Sequence, residues 1–309
     1  MLRYIVRRVL FLIPVLLGVA FCVFTLLYLT PGDPARMVLG DLATEDAVQE
    51  FRNREGLNDP FLVQFGNYVW KAVTKGDIGR SYITKRSVAQ EVLAAFPATL
   101  KLSALAMLIA ILVGLPCGIL SAIKQYSLFD TVTMIFAMIG LSMPVFWLGL
   151  LLILLFSVHL RWLPSSGFGT FKAMILPAVS LSAQAISMVT RMTRSSMLEV
   201  IRADYIRTAR AKGQKESVVI WVHALHNALI PVVTLCGLQF GHLLAGAILT
   251  ESIFAIPGVG RLMVSSIMQR DYPMVQGGVL FIAIVFSIVN LLVDLVYAYI
   301  DPRIKAQYK

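Results

Sequence analysis

Four histidines, His159, His223, His226 and His242, are the side chains most suited to metal or proton chemistry near neutral pH. His223 and His226 stand three apart, so a helix brings both to one face, where they could share a metal ion. No carboxylate or thiol joins them, which makes helix-surface or contact residues the simpler reading. His242 lies in an apolar run, where an interhelical hydrogen bond competes with ligation. Asp294, with Asn290 one turn before it, is an ionisable group in another apolar run. It is either a point on a transport path or a polar clamp to a neighbouring helix. Glu251 closes its own apolar run and reads as a loop anchor. Beyond these the chemistry thins out. No G-x-x-x-x-G-K-[ST] occurs to cradle ATP phosphates, and neither H-E-x-x-H nor G-x-S-x-G is present. Cys22, Cys117 and Cys236 sit inside apolar runs and imply no disulfide framework.

The elements that must position these residues are greasy. Of 309 residues 58% are apolar and only 14% charged, with a mean hydropathy of +0.79. A soluble domain carries about a quarter charged residues, so the composition specifies an integral membrane protein. Val9–Leu29, preceded by Arg3, Arg7 and Arg8, is long enough for a first span. It is longer than a signal-peptide core and ends without a small-x-small cleavage site, so it is expected to be retained. Further spans are expected near Ala98–Ile123, Thr131–Val158, Phe171–Thr190, Ala228–Thr250 and Gln276–Ile300, with Pro116, Pro144 and Pro177 kinking them or marking their ends. The spacing Gly237-x-x-x-Gly241 either admits a close helix neighbour or is a chance pairing in a glycine-rich helix.

Residues 30–97 differ in kind. Thr44 is placed to cap a helix that begins at Glu45 and ends at Gly56. Asp59 followed by Pro60 is a cap with proline at the first helical position, putting Leu62, Phe65 and Val69 on one face. Ser87 and Gln90 form a capping box ahead of Val92 and Leu93. The stretch is expected to be a small extracytoplasmic helical cap. The expected domains are thus residues 1–29, 30–97, a five-helix core 98–300 with a cytoplasmic loop at 191–227, and a tail at 301–309.

Charge sets the orientation. Fourteen basic residues (Arg3, Arg7, Arg8, Lys124, Arg191, Arg194, Arg202, Arg207, Arg210, Lys212, Lys215, Arg303, Lys305 and Lys309) fall on one side of that topology. The short loops opposite carry four, Arg161, Lys172, Arg261 and Arg270. Positive charge gathers on the cytoplasmic side, so both termini are expected there. The same bias accounts for most of the net charge of +10 without nucleic acid. Within the cytoplasmic set lies Ala203–Pro231, a basic insert with Gly213 placed to end one short helix and begin another. Such an element looks built to be grasped.

That insert resembles the cytoplasmic loop of binding-protein-dependent ABC importer permeases, in which a Glu-Ala-Ala triplet precedes a glycine by four. Here Arg207, Thr208 and Ala209 occupy the triplet, so only the second alanine and Gly213 match. The run R-T-A-R-A-K-G with His223, Leu225, Asn227 and Pro231 resembles the dipeptide/oligopeptide/nickel branch. So do Pro31-Gly32-Asp33-Pro34, Gly76-Asp77-Ile78-Gly79, Met143-Pro144-Val145-Phe146-Trp147, Pro257-Gly258-Val259-Gly260-Arg261 and Asp301-Pro302-Arg303. The resemblance implies an all-α, six-span type I importer permease of the bacterial inner membrane. It implies a second homologous permease as heterodimer partner, two ABC ATPase subunits that use ATP and Mg, and an extracytoplasmic substrate-binding protein, with no cofactor on this chain. It assigns ATPase coupling to Arg207, Thr208, Ala209, Arg210, Lys212, Gly213, His223 and Asn227. Asp294, Asn290 and His242 remain candidates for the translocation path. Short peptides, glutathione-like ones included, are the expected cargo, with nickel or a metal chelate as the alternative. An ion-coupled secondary transporter would need mid-membrane charges, and Asp294 and His242 alone are available. A membrane-embedded enzyme would need a catalytic constellation, and none is visible.

Overall fold

In the computed structural model, residues 2–40 and 42–300 are described; the side chains of residues 2–7, 294 and 296–300 lie outside that description, as do residues 301–309. Among the described residues the regular elements are helices: α1 Leu2–Leu29, α2 Pro34–Leu39, α3 Glu45–Glu55, α4 Phe61–Lys75, α5 Val88–Ile123 and α6 Leu128–Ser142. They continue with α7 Val145–His159, α8 Phe171–Ile201, α9 Asp204–Ala211, α10 Glu216–Ile253, α11 Val259–Met268 and α12 Tyr272–Ile300. Five are long and apolar enough to cross a membrane: α1 from Arg8, α5, α8, α10 and α12. The sixth expected span, Thr131–Val158, is not one rod. Its two halves, α6 and α7, meet at a bend of 106°. Proline forces the break. Met143 takes an extended backbone (φ −80°, ψ 126°), as a residue before proline prefers, and Pro144, the N-cap of α7, has no amide to continue α6.

The chain divides into two compact units. One comprises Ala98–Ile256 with the stretch from Ile288 onward, and α8 is its axis. In a bilayer, helix association relies on close van der Waals packing rather than on escape from water, and α5 and α6 meet α8 through glycines. A methyl group at Gly114 would stand 3.0 Å from the Ile186 carbonyl oxygen, and one at Gly118 would lie 2.6 Å from Thr193 Cβ. On α6, a methyl at Gly140 would meet Ser187 Oγ at 2.6 Å. Gly237 of α10 lets Val293 of α12 approach to 2.3 Å of the same virtual atom, so the close-neighbour reading holds for it. Leu102, Ala106, Leu181, Leu243, Phe254 and Ile256 form a buried core. Glu251 is fully buried and its carboxylate accepts a 2.6 Å hydrogen bond from Thr99 Oγ1, so it anchors α10 to α5.

The other unit comprises Leu2–Pro97 and Pro257–Ser287. Helix α3 starts and stops as expected: Thr44 Oγ1 accepts from the Ala47 amide and Gly56 adopts φ +71°. Helix α4 differs. Pro60 is its N-cap with no side-chain bond, Asp59 plays no capping part, and Leu62 is 71% exposed. Its packing face is Phe61, Phe65 and Tyr68, set against Phe21, Phe24 and Tyr28 of α1. A helix begins directly after Ser87 as expected, but it is no separate element: α5 runs unbroken for 36 residues from Val88 through the span expected from Ala98. The Asp33 carboxylate caps α2 through the Ala35 amide and pairs with Arg52 of α3 at 2.7 Å. Asp271, buried, accepts from Ser81 Oγ and, at 2.9 Å, from the Tyr82 amide.

Candidate functional site

Helix α9 is two turns long and two-sided. Ile206 is fully buried and Ala209 half-buried, packed with Ile119, Met197, Val219 and Ala224. Arg207, Thr208, Arg210 and Ala211 stand on the exposed side, followed by exposed Lys212 and Gly213. The i, i+3 spacing of Ile206 and Ala209 dictates this division. Gly213 has φ +74°, a left-handed conformation that ordinary side chains resist. Its amide donates to the Arg210 carbonyl at 2.9 Å and the Gln214 amide to that of Ala209 at 3.3 Å, which closes the helix with a Schellman turn. Among the described residues, no atom beyond its two chain neighbours lies within 4 Å of a Cβ placed on Gly213. Its small size therefore serves the backbone turn and leaves open space outside, rather than packing within this chain.

The remaining predicted coupling residues separate. Arg210 forms a fork with Glu216, Nη2–Oε1 2.6 Å and Nε–Oε2 3.1 Å, that ties the turn to the start of α10. That hydrogen bonding pushes the Arg210 pKa up further, so its charge is fixed at any physiological pH. Arg207 reaches Asp204 at 3.6 Å, and the Thr208 hydroxyl turns back to the Asp204 carbonyl at 3.0 Å. Asn227 donates to Tyr205 Oη at 2.9 Å, bracing α9 against α10. His223 is half-buried and its carbonyl accepts from Asn227 at 3.4 Å, whereas His226 is exposed.

Beneath the platform lies a cluster that sequence reasoning missed. Asp130 of α6 accepts a bidentate pair from Arg194 of α8, both bonds at 2.7 Å, and further bonds from Ser121 Oγ of α5 and, at 2.9 Å, from the Tyr126 amide. Three helices are bound at one carboxylate. Close by, Arg202 donates to Gln125 at 3.1 Å, and Ser196 Oγ to the Ala228 carbonyl at 2.9 Å. The local signal was present: Ser127 and Asp130 form the S-x-x-D pattern of a helix start, and Ser127 Oγ accepts from the Asp130 amide.

The three path candidates are likewise spread out. His242 lines a groove of about 530 Å³ where the α6–α7 break faces α8 and α10, beside Gln184, Gln239, Leu141, Phe146, Met188 and Gly246. Asn290 does not line it; its Oδ1 is buried and meets no hydrogen-bond donor among the described residues. The Asp294 side chain lies outside the described residues. Among the described residues no three His, Cys, Asp or Glu side chains gather as a metal site.

The family described as binding-protein-dependent transport system inner membrane component matches residues 114–306, and its amino-terminal counterpart matches residues 1–103. The chain belongs to that family. This permease is 45% identical to the dipeptide transport system permease protein DppB of Alkalihalophilus pseudofirmus, over 99% of this chain and all of that one. It is 44% identical to the di/tripeptide transport system permease protein DppB of Pseudomonas aeruginosa at the same coverage. The glutathione transport system permease protein GsiC of Salmonella typhimurium is 45% identical over 99% of both chains. Among solved structures, the inward-facing MetNI methionine ABC transporter superposes with a TM-score of 0.56 at 17% identity, covering 69% of this chain and 97% of that one. An amino acid ABC transporter with histidines gives 0.52 at 16%, covering 70% and 94%. The two superpositions establish the type I importer permease fold. The permease is thus a multi-pass inner-membrane component of an ABC importer, a membrane-embedded complex with other subunits.

Proposed function

We propose that this permease forms the translocation path of an ATP-driven importer of short peptides, together with a second homologous permease. Two ABC ATPase subunits would bind and hydrolyse ATP with Mg, and an extracytoplasmic binding protein would deliver the cargo; this chain itself would carry no cofactor. The observation that carries the reading is the α9 platform, one face sunk beside Met197 of α8 and the other bare and basic. ATP-driven closure of the ATPase pair favours one of two arrangements of the helices, which is what alternating access requires. Arg207, Thr208, Lys212 and the open space at Gly213 would meet the ATPase. Ala209, Arg210, His223 and Asn227 would hold the platform's shape.

Peptide cargo is favoured over nickel or a chelate because the three relatives above are named for dipeptides, di/tripeptides and glutathione. The groove beside His242 suits it: Gln184 and Gln239 can exchange hydrogen bonds with peptide groups, while Leu141, Phe146 and Met188 take apolar side chains. Both termini would be cytoplasmic and residues 30–97 external. Uptake tests the reading. Proteoliposomes holding both permeases, the ATPases and the binding protein should accumulate labelled dipeptide only with internal ATP. Accumulation by the chain alone under an ion gradient would overturn it in favour of a secondary transporter.

A further inference from the structure

Helix α4 does not look like part of a soluble cap. Its aromatic face packs on α1: Phe61 stands 5.3 Å from Phe24 and 5.0 Å from Tyr28, and Phe65 stands 5.3 Å from Phe21. Phe21 and Phe24 belong to the membrane-crossing part of α1, Arg8–Leu29. At about 1.5 Å per residue, Phe21 sits roughly 12 Å inside the Leu29 end of that span. A helix resting on those rings lies at hydrocarbon depth, not above it. Its next face is apolar and bare: Leu62 is 71% exposed, Val63 47%, Trp70 69% and Val73 77%, with nothing within 4 Å of a Cβ on Gly66. The polar residues Gln64, Asn67, Lys71, Thr74 and Lys75 gather on the remaining arc. Helical geometry thus gives an apolar arc about twice as wide as the polar one. In water such a face would be a liability; at a membrane surface it is the pattern of an in-plane helix with tryptophan at the boundary and lysines reaching out.

We infer that α4 is an interfacial helix, sunk into the leaflet at the Leu29 end of α1, with Leu62, Trp70 and Val73 in contact with lipid acyl chains. Residues 61–75 are then withdrawn from any docking surface for a soluble partner, which is left to the loops on either side.

The test uses the full chain co-expressed with its partner subunits, in nanodiscs of phosphatidylethanolamine and phosphatidylglycerol, with Cys22, Cys117 and Cys236 replaced by serine or alanine. Spin labels at Leu62→Cys and Val73→Cys should collide readily with oxygen and rarely with a water-soluble nickel chelate. Labels at Asn67→Cys and Lys71→Cys should show the reverse. Frequent chelate collisions at Leu62→Cys and Val73→Cys would mean a solvent-facing cap; low collision rates with both reagents would mean protein cover. Either result overturns the inference. A second measurement leaves α4 unaltered: with Trp147, Trp162 and Trp221 replaced by phenylalanine, Trp70 fluorescence should fall on incorporation of brominated acyl chains. An unquenched Trp70 would count equally against it.

Discussion

Single atoms decide several questions here, and glycine shows how. Gly118 and Gly246 are both helical residues of apolar spans, yet a methyl at Gly118 meets Thr193 Cβ at 2.6 Å and the Thr190 carbonyl at 2.7 Å, while one at Gly246 meets nothing within 4 Å. Gly118→Ala should therefore lower the thermal midpoint of the detergent-purified chain, with an overpacking cost of about 1–3 kcal/mol. Gly246→Ala should leave it unchanged, and equal midpoints for the two would contradict the packing described. Asp33 offers a pH-dependent case. Burial pushes its carboxyl up, but the Arg52 guanidinium and the Ala35 and Arg36 amides outweigh that and hold its pKa below the ordinary aspartate value. A group with a depressed folded pKa contributes stability above its unfolded pKa and loses it as pH falls through the folded one. Hydrogen-exchange protection over residues 34–55, corrected for intrinsic rates, should thus decline as the pH falls below the ordinary aspartate range. Asp33→Asn should flatten that decline; an identical profile in the variant would remove Asp33 as its cause.

At the scale of elements, the clamp joining α5, α6 and α8 carries the clearest expectation. Arg194→Ala leaves the Asp130 carboxylate, 5% exposed, without its counter-charge, and breaking a buried pair from one side costs about 3–5 kcal/mol. Asp130→Asn with Arg194→Met removes both charges and should recover much of that loss, read as the detergent thermal midpoint. Additive losses in the double variant would mean that the two side chains do not act as a pair. The same cluster shows where sequence reading reaches its limit. The long apolar helices were legible because a bilayer demands length and apolarity of each one. The turn at Gly213 was legible because a left-handed residue is a local requirement. Arg194, by contrast, counts as one more cytoplasmic charge until α6 is laid against α8, since its partner stands 64 residues away in the chain. The bend at Pro144 was visible as a proline but not as 106°, and the packing face of α4 was misplaced onto Leu62 because its apolar arc is too wide for periodicity to say which part meets α1. Asn227, expected in ATPase coupling, also donates to Tyr205 Oη, a tertiary relation that no spacing rule encodes.

For the whole molecule, the question is whether α9 passes a partner's movement to the membrane helices or only sets topology. Its two faces separate these possibilities. Ile206 joins α9 to the cluster of Ile119, Met197 and Val219, so Ile206→Asp should loosen α9 in the isolated chain, with faster hydrogen exchange over residues 204–211. Gly213→Trp adds bulk where no described residue beyond the adjoining ones comes within 4 Å of the new Cβ, with strain from φ +74° confined to the turn. It should leave exchange in α8 and α10 unchanged. Both variants should insert into the membrane, and both should lose dipeptide uptake, one because the platform is detached and the other because its partner is held off. ATP hydrolysis by the assembled complex should in each case cease to respond to the loaded binding protein. If Gly213→Trp supported uptake at the unsubstituted rate, the open space at that turn would not be where the ATPase seats, and the basic face of α9 would be left with orientation in the bilayer as its role.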